Sequence, residues 1–378
     1  MSIEPFRIAI PDADLADLRA RLQRARVAPA IDAQGWSEGI APDVLQGLLA
    51  RWADGFDWRA QEARLNALPQ YRAQVDGHTI HFVHQPGKGP QPLPLVLTHG
   101  WPGSFLEFER IIPLLADPGA HGGDPADSFH VVVPSLPGYG FSPAPRTRGT
   151  GAYATASLWA GLMAQLGYER FGAQGGDIGA GVSAWLGVRH PERVIGMHLN
   201  FIPGSYAPPL GDGHPEVTPE EQGWRQRVAE WAEREAAYSK MHATKPATAS
   251  IGLNDSPAGL AAWIGEKFYA WAEDVEATIP VDTLLTNLSL YWFTQTIGSS
   301  MRMYVEGRAQ PLALQERVRP PLGVATFPAE IPLPPRSWVE RCFDVRRWTA
   351  MPAGGHFAAL EQPHLLAEDI RAFFRPLR

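Results

Sequence analysis

An aspartate among glycines, Gly175-Gly176-Asp177-Ile178-Gly179, is the segment of this chain best suited to chemistry. A side chain on a tight strand-to-helix turn is thrust outward as a nucleophile, and small neighbours give that turn its slack. The residues Tyr168 to Gln174 before it read as a strand. Those from Ala180 to Arg189 read as a helix that stops ahead of Pro191. The residue type matters as much as the turn. A serine there makes an acyl-enzyme from an ester or amide, whereas a carboxylate attacks an electrophilic sp³ carbon and becomes an alkyl ester. Taken alone, a Gly-Gly-Asp-x-Gly turn is more often a plain loop, so its partners must come from elsewhere in the chain.

Three other loops follow predicted strands. His99-Gly100-Trp101-Pro102-Gly103-Ser104 brings glycines, and hence backbone N–H groups, close to a reacting centre. The N–H groups of Trp101 and Ile178 would together form an oxyanion hole. The plainer reading is a tight turn whose His99 is simply hydrogen-bonded. Gly354-Gly355-His356-Phe357 puts a histidine last in chain order, where a general base belongs when the nucleophile comes first. Phe327-Pro328-Ala329-Glu330 offers a carboxylate to hold that imidazole, with Asp344 the competing acid and better read as a solvated turn residue. An opened three-membered ether leaves an alkoxide, which a neutral phenol with a pKa of about 10 can hydrogen-bond and protonate. Tyr206, Tyr238, Tyr269, Tyr291 and Tyr304 are all available, and residue chemistry alone does not choose among them.

The elements that must hold these groups alternate. Pro11–Leu22, Pro42–Trp52 and Trp58–Leu68 carry helical periodicity. Tyr71–Val75 and Thr79–His84 form a hairpin about Asp76-Gly77. Strand and helix then follow in turn: Leu93–Thr98, Phe105–Leu115, Phe129–Val133, Thr155–Leu166, and the strand Val194–Asn200 after the aspartate turn. Such alternation predicts a mostly parallel, doubly wound α/β sheet. Residues 201–315 read as an inserted helical cap, and strands return at Pro321–Phe327 and near Val345 before a closing helix, Leu360–Phe374. The expected organisation is a helical extension and hairpin over 1–85, core over 86–200, cap over 201–315 and core again over 316–378.

With 378 residues, 45% hydrophobic and 19% charged, the chain has a globular composition, and a net charge of −7 leaves no basic footprint for nucleic acid. No apolar run approaches the roughly 18 residues a membrane span needs, and Met1-Ser-Ile-Glu-Pro-Phe-Arg7 lacks a signal-peptide pattern. The expectation is therefore a cytoplasmic chain without a membrane anchor. Cys342 is the single cysteine, which suits a buried small hydrophobe and excludes an internal disulfide. No His-Glu-x-x-His pair occurs among the 12 histidines, so neither metal nor cofactor is expected.

These segments together resemble the epoxide hydrolases of the α/β-hydrolase fold, in the branch with the microsomal, juvenile-hormone and related fungal and bacterial enzymes. The likeness runs through Pro5-Phe-Arg-Ile8, Tyr71–Phe82, the His99–Ser104 loop, Pro134-Ser-Leu-Pro-Gly-Tyr-Gly-Phe-Ser142 and the aspartate turn. It continues in Thr244-Lys-Pro246, Leu253–Trp263, Tyr291-Trp292, Ser299–Glu306, Phe327–Glu330 and Gly354–Ala359. The resemblance implies that Asp177 is the nucleophile, His356 the base for water and Glu330 its orienting acid. It selects Tyr238, seven residues before Lys245, and Tyr304 as the pair that binds the epoxide oxygen. His99, Pro102, His242 and Trp292 are expected to contact substrate, an apolar or aromatic epoxide, with water as co-substrate and no cofactor.

Two positions depart from the family. Ile178 stands where tryptophan is usual, and His242 where glutamine is common. A haloalkane dehalogenase shares the aspartate nucleophile but holds its halide on ring N–H donors, commonly a tryptophan just after that aspartate, which Ile178 cannot supply. A serine esterase lacks its Gly-x-Ser-x-Gly here, and a catalytically inactive binding protein would not need the full residue set. Oligomeric state stays open, with a homodimer among the options.

Overall fold

The computed structural model describes residues 3–29, 31 and 35–378. Nine strands form one sheet in the order β1-β2-β3-β5-β4-β6-β7-β8-β9. They are β1 (Ile3–Pro5), β2 (Gln70–Val75), β3 (His78–Gln85), β4 (Leu93–Thr98), β5 (Phe129–Pro134), β6 (Phe171–Gly175), β7 (Val194–Leu199), β8 (Val318–Thr326) and β9 (Phe343–Ala350). Pairing is parallel from β5 through β9 and antiparallel among β1, β2, β3 and β5. The inner parallel strands are buried on both faces, which is why β4 and β5 are nearly unbroken apolar runs.

Helices cover both faces. In chain order they are α1 (Asp12–Gln23), α2 (Pro42–Asp54), α3 (Trp58–Leu65), α4 (Ile112–Ala116), α5 (Ala152–Gln165) and α6 (Asp177–Arg189). Those inserted between β7 and β8 are α7 (Pro219–Glu235), α8 (Ala237–Thr244), α9 (Pro246–Asp255), α10 (Pro257–Trp271), α11 (Val275–Thr278), α12 (Val281–Thr294) and α13 (Ile297–Ala309). Then come α14 (Arg336–Glu340), α15 (Ala358–Glu361) and α16 (Pro363–Phe374). Among the described residues no helix is long and apolar enough to cross a membrane.

The structure differs from the sequence reading where proline or brevity intervenes. The helix expected over Phe105–Leu115 is a single 3-10 turn, Phe105–Phe108, followed by α4 with Pro113 in its first turn, where a missing N–H costs nothing. The closing helix is likewise cut at Pro363 into α15 and α16. Strand β8 starts at Val318, earlier than expected, because a bulge between Val318 and Pro321 accommodates Pro320-Pro321. Strand β1 has three residues, too few for any periodicity, and its Pro5 is tolerated at the sheet edge.

A buried ion pair pins the inserted helices to the core. Glu221 caps α7 by accepting the Thr218 N–H at 2.9 Å, and it also meets Arg341, just beyond α14, at 2.7 Å. The two side chains are 1% and 6% exposed. Arg341 donates further to the carbonyls of Pro215 and Glu216. Removing one partner strands the other's charge in the seam. Arg341→Met is therefore expected to lower unfolding stability by about 3–5 kcal/mol in urea titrations. A loss under about 1 kcal/mol would mean that water already screens the pair.

Candidate active site

Strand β6 ends at Gly175 and α6 begins at Asp177, whose φ of +45° lies in the left-handed region that a non-glycine residue rarely adopts. The turn is possible because its neighbours lack side chains. A Cβ on Gly179 would fall 1.9 Å from the Thr98 carbonyl oxygen, and one on Gly100 would fall 2.3 Å from Asp177 Oδ1. The carboxylate thus projects from the first turn of α6, whose unpaired N–H groups and dipole favour negative charge. The Trp101 N–H donates to Asp177 Oδ1 at 2.8 Å.

On the other side of that carboxylate stands His356, with Nε2 3.7 Å from Asp177 Oδ2. Its Nδ1 is 2.6 Å from Glu330 Oε1. Because a carboxylate can only accept, Nδ1 carries the proton and Nε2 faces Asp177. Glu330 is fixed in turn by the Ile331 N–H at 2.7 Å. Burial works to lower the His356 pKa, but the charge and hydrogen bond of Glu330, with the charges of Asp177 and Glu107, outweigh it and raise it to about 9. Asp344, the competing acid, lies away from this cluster in β9 and pairs with Arg346 at 2.9 Å.

Nothing in the sequence singles out Glu107, yet it is a third carboxyl group at this centre. Ser104-x-x-Glu107 reads as a helix-capping signature, and an acid in an amphipathic helix reads as solvated. Because the helix does not form, Glu107 turns inward and is partly buried, filling the space that Gly103 leaves open. Burial raises its pKa to about 8. The Asp177 charge pushes the same way, and His356 and a hydrogen bond from the Gly100 backbone oppose. Its surroundings therefore favour the neutral acid over the carboxylate. Together with Gly100, Asp177, Asn200, His356 and Phe357 it lines a recess with about 10 Å³ of free volume. That is room for about one water molecule.

The cap closes over the other face. Tyr238 of α8 stacks on the Trp101 ring, 5.2 Å between centroids and 12° from parallel, and Tyr304 of α13 meets both rings edge-on. Burial, with the charge of Asp177 behind it, raises both phenols above their ordinary value, so both stay protonated donors. His242, one turn beyond Tyr238, packs 4.7 Å from Trp101 and 4.9 Å from Tyr304 and accepts from the Trp263 indole at 3.1 Å. Burial lowers its pKa to about 3, so it sits beside the tyrosines as a neutral wedge.

Helix α12 clamps the Trp101 loop, through residues the sequence did not point to for that task. Tyr291 donates to the Gly103 carbonyl at 2.9 Å, and Asn287 donates to the Pro102 carbonyl at 2.8 Å and accepts from Ser104 at 2.9 Å. Pro102 follows a cis peptide and is part of this clamp. Two expected substrate contacts do not reach the site. His99 is fully enclosed, with Nδ1 on the Gly100 carbonyl at 3.1 Å and Nε2 accepting the Leu136 N–H at 3.1 Å, so neither nitrogen is left for a ligand. The plainer reading of that histidine is the one the structure bears out. Trp292 instead faces α1, its ring 5.7 Å beneath the Arg21 guanidinium.

Residues 3–108 match the family described as epoxide hydrolase N terminus, and residues 94–243 match the α/β-hydrolase fold. A putative epoxide hydrolase of Stigmatella aurantiaca is 43% identical over 380 residues, covering 100% of this chain and 86% of that protein. The chain belongs to the epoxide hydrolases. Epoxide hydrolase 1 of Oryctolagus cuniculus is 39% identical, covering 98% of this chain and 88% of its own. Among solved structures, the Aspergillus niger epoxide hydrolase superposes with a TM-score of 0.87 at 33% identity, covering 100% of this chain and 97% of that one. The juvenile hormone epoxide hydrolase of Bombyx mori gives 0.85 at 30% identity, covering 100% and 94%.

In this epoxide hydrolase the close approach at Gly100 is a sharp test of the site. Gly100→Ala is expected to fold, by circular dichroism, but to lose diol formation by about a hundredfold as its new methyl displaces the Asp177 carboxylate. Near-normal turnover would show that Asp177 need not occupy the observed position.

Proposed function

We propose that this hydrolase converts an apolar epoxide, aromatic ones included, to a vicinal diol through an ester of Asp177. The observation that carries the reading is the setting of one carboxylate. It lies between the Trp101 N–H at 2.8 Å and His356 Nε2 at 3.7 Å, with the Tyr238 ring stacked on Trp101 from the cap side. The oxirane oxygen accepts hydrogen bonds from Tyr238 and Tyr304. Asp177 attacks a ring carbon, the C–O bond breaks, and a tyrosine proton passes to the departing oxygen. Water in the recess beside Glu107 then gives a proton to His356 and adds to the ester carbonyl. The N–H groups of Trp101 and Ile178 carry the resulting oxyanion. Collapse breaks the ester, His356 returns its proton to the departing alkoxide, the proton left on the Asp177 carboxyl group restores the tyrosine, and the diol leaves. Ile178 offers its backbone N–H as well as any residue could, so the missing indole alters pocket shape while the chemistry stays. The aromatic surroundings, Trp271 and Phe201 against His356 among them, suit an apolar substrate.

Charge makes the two steps sequential. The Asp177 carboxylate is one of the groups holding the His356 pKa up near 9. Esterification removes that charge, so the imidazole pKa falls when a base is first required. Ester decay needs neutral His356 and therefore rises with pH to a plateau. In single-turnover experiments across pH it should titrate below about 9. A decay that is flat with pH, or that titrates above 9, would remove His356 from the base role. Single turnover in ¹⁸O-water should label the Asp177 carboxylate, and an unlabelled Asp177 excludes the covalent route. His356→Gln should form the ester and keep it. Normal steady-state turnover in that variant would be incompatible with the mechanism.

A further inference from the structure

The loop that carries His356 is stitched to the cap by a second pair of carboxylates that the reaction itself does not use. Glu361, in α15, is 5% exposed and meets no cationic side chain directly. Its Oε2 accepts the Glu273 N–H at 2.8 Å, its Oε1 accepts the Phe357 N–H at 3.0 Å, and the Gly355 backbone also hydrogen-bonds to it. Glu273, in the link between α10 and α11, answers in kind by accepting the Gly354 N–H at 2.6 Å. Between these ties the His356 N–H donates to the Trp271 carbonyl at 2.9 Å. The two segments run so close that a Cβ on Gly355 would fall 2.5 Å from that carbonyl oxygen. A carboxylate buried without a counter-charge is costly, and backbone N–H groups are what satisfy it here.

We infer that Glu361 is a positioning residue for the hydrolytic half of the reaction, holding His356 at its distance from Asp177 by locking the histidine loop to the end of α10. Asp177, Trp101 and the two tyrosines rest on other supports: the β6–α6 turn, the α12 clamp and the helices α8 and α13. Loosening the Glu361 lock therefore misplaces the base and leaves the nucleophile and the acids where they are. A glutamine at 361 presents one accepting oxygen and turns an NH₂ donor toward an N–H that needs an acceptor. A displacement of about an ångström is enough to slow a proton-transfer step by up to roughly a hundredfold.

This inference rests on the ester mechanism proposed above, and one experiment separates the two. The full chain and Glu361→Gln are mixed rapidly with excess styrene oxide, quenched in acid, and followed for ester on Asp177 by intact-protein mass. The expected result is ester formation at the wild-type rate, ester decay slowed by roughly ten- to a hundredfold, and accumulation of the ester in the steady state. Glu273→Ala, which removes only the Gly354 tie, should show the same selective slowing to a smaller degree and serves if Glu361→Gln does not fold. Decay at the wild-type rate in these variants, or equal loss of both half-reactions, overturns the positioning role. Absence of any ester in the wild-type chain instead strikes at the mechanism, since the variants are then never called upon.

Discussion

The contact between the Trp101 N–H and Asp177 Oδ1 is the one on which the rest of the site is arranged, with Asp177 the carboxylate proposed to attack carbon. That carboxylate also lies in the first turn of α6, and His356 Nε2 stands 3.7 Å from its Oδ2. That arrangement forces the left-handed backbone at Asp177 and the glycines that let the Thr98–Gly100 segment pass beneath it. It also makes the Trp101 loop the part whose position everything else serves.

The inserted helices hold that loop as well as roof it. Tyr291 and Asn287 reach from α12 to the loop carbonyls, while Tyr238 lays its ring on the Trp101 indole. One residue, Trp101, thus offers its backbone to Asp177 and its side chain to Tyr238. The Glu221–Arg341 pair anchors the other end of the insertion. Cap and core are joined by directional polar bonds set in apolar packing, an arrangement that gives a defined relative position where apolar contact alone would allow sliding.

Much of this is legible in the sequence, because strands of a parallel sheet are buried on both faces and announce themselves as apolar runs between helical periods. The aspartate and glutamate follow two such strands, β6 and β8, and the histidine follows the edge strand β9. What escapes is whatever depends on where a helix fails to form. Glu107 looks solvated until the Phe105–Phe108 turn stops short and swings it inward. Asn287 and Tyr291 look like routine residues of an amphipathic helix until the loop they grip is in place. His99 illustrates the converse: a histidine beside glycines after a strand has the surroundings of a ligand-binding residue, yet both its nitrogens are taken by backbone. Sequence position says which loop a residue is on, and only packing says which way it faces.

The recess beside Glu107 has a chemical consequence of its own. Its free volume of about 10 Å³ suits a single water. An alkyl ester in open solution surrenders to whatever alcohol, amine or thiolate reaches it first. In the mechanism proposed above, a space of that size beside Asp177 favours water as the molecule that attacks the ester. Under that proposal, preference for water, a weak nucleophile present everywhere, follows from the shape of a space.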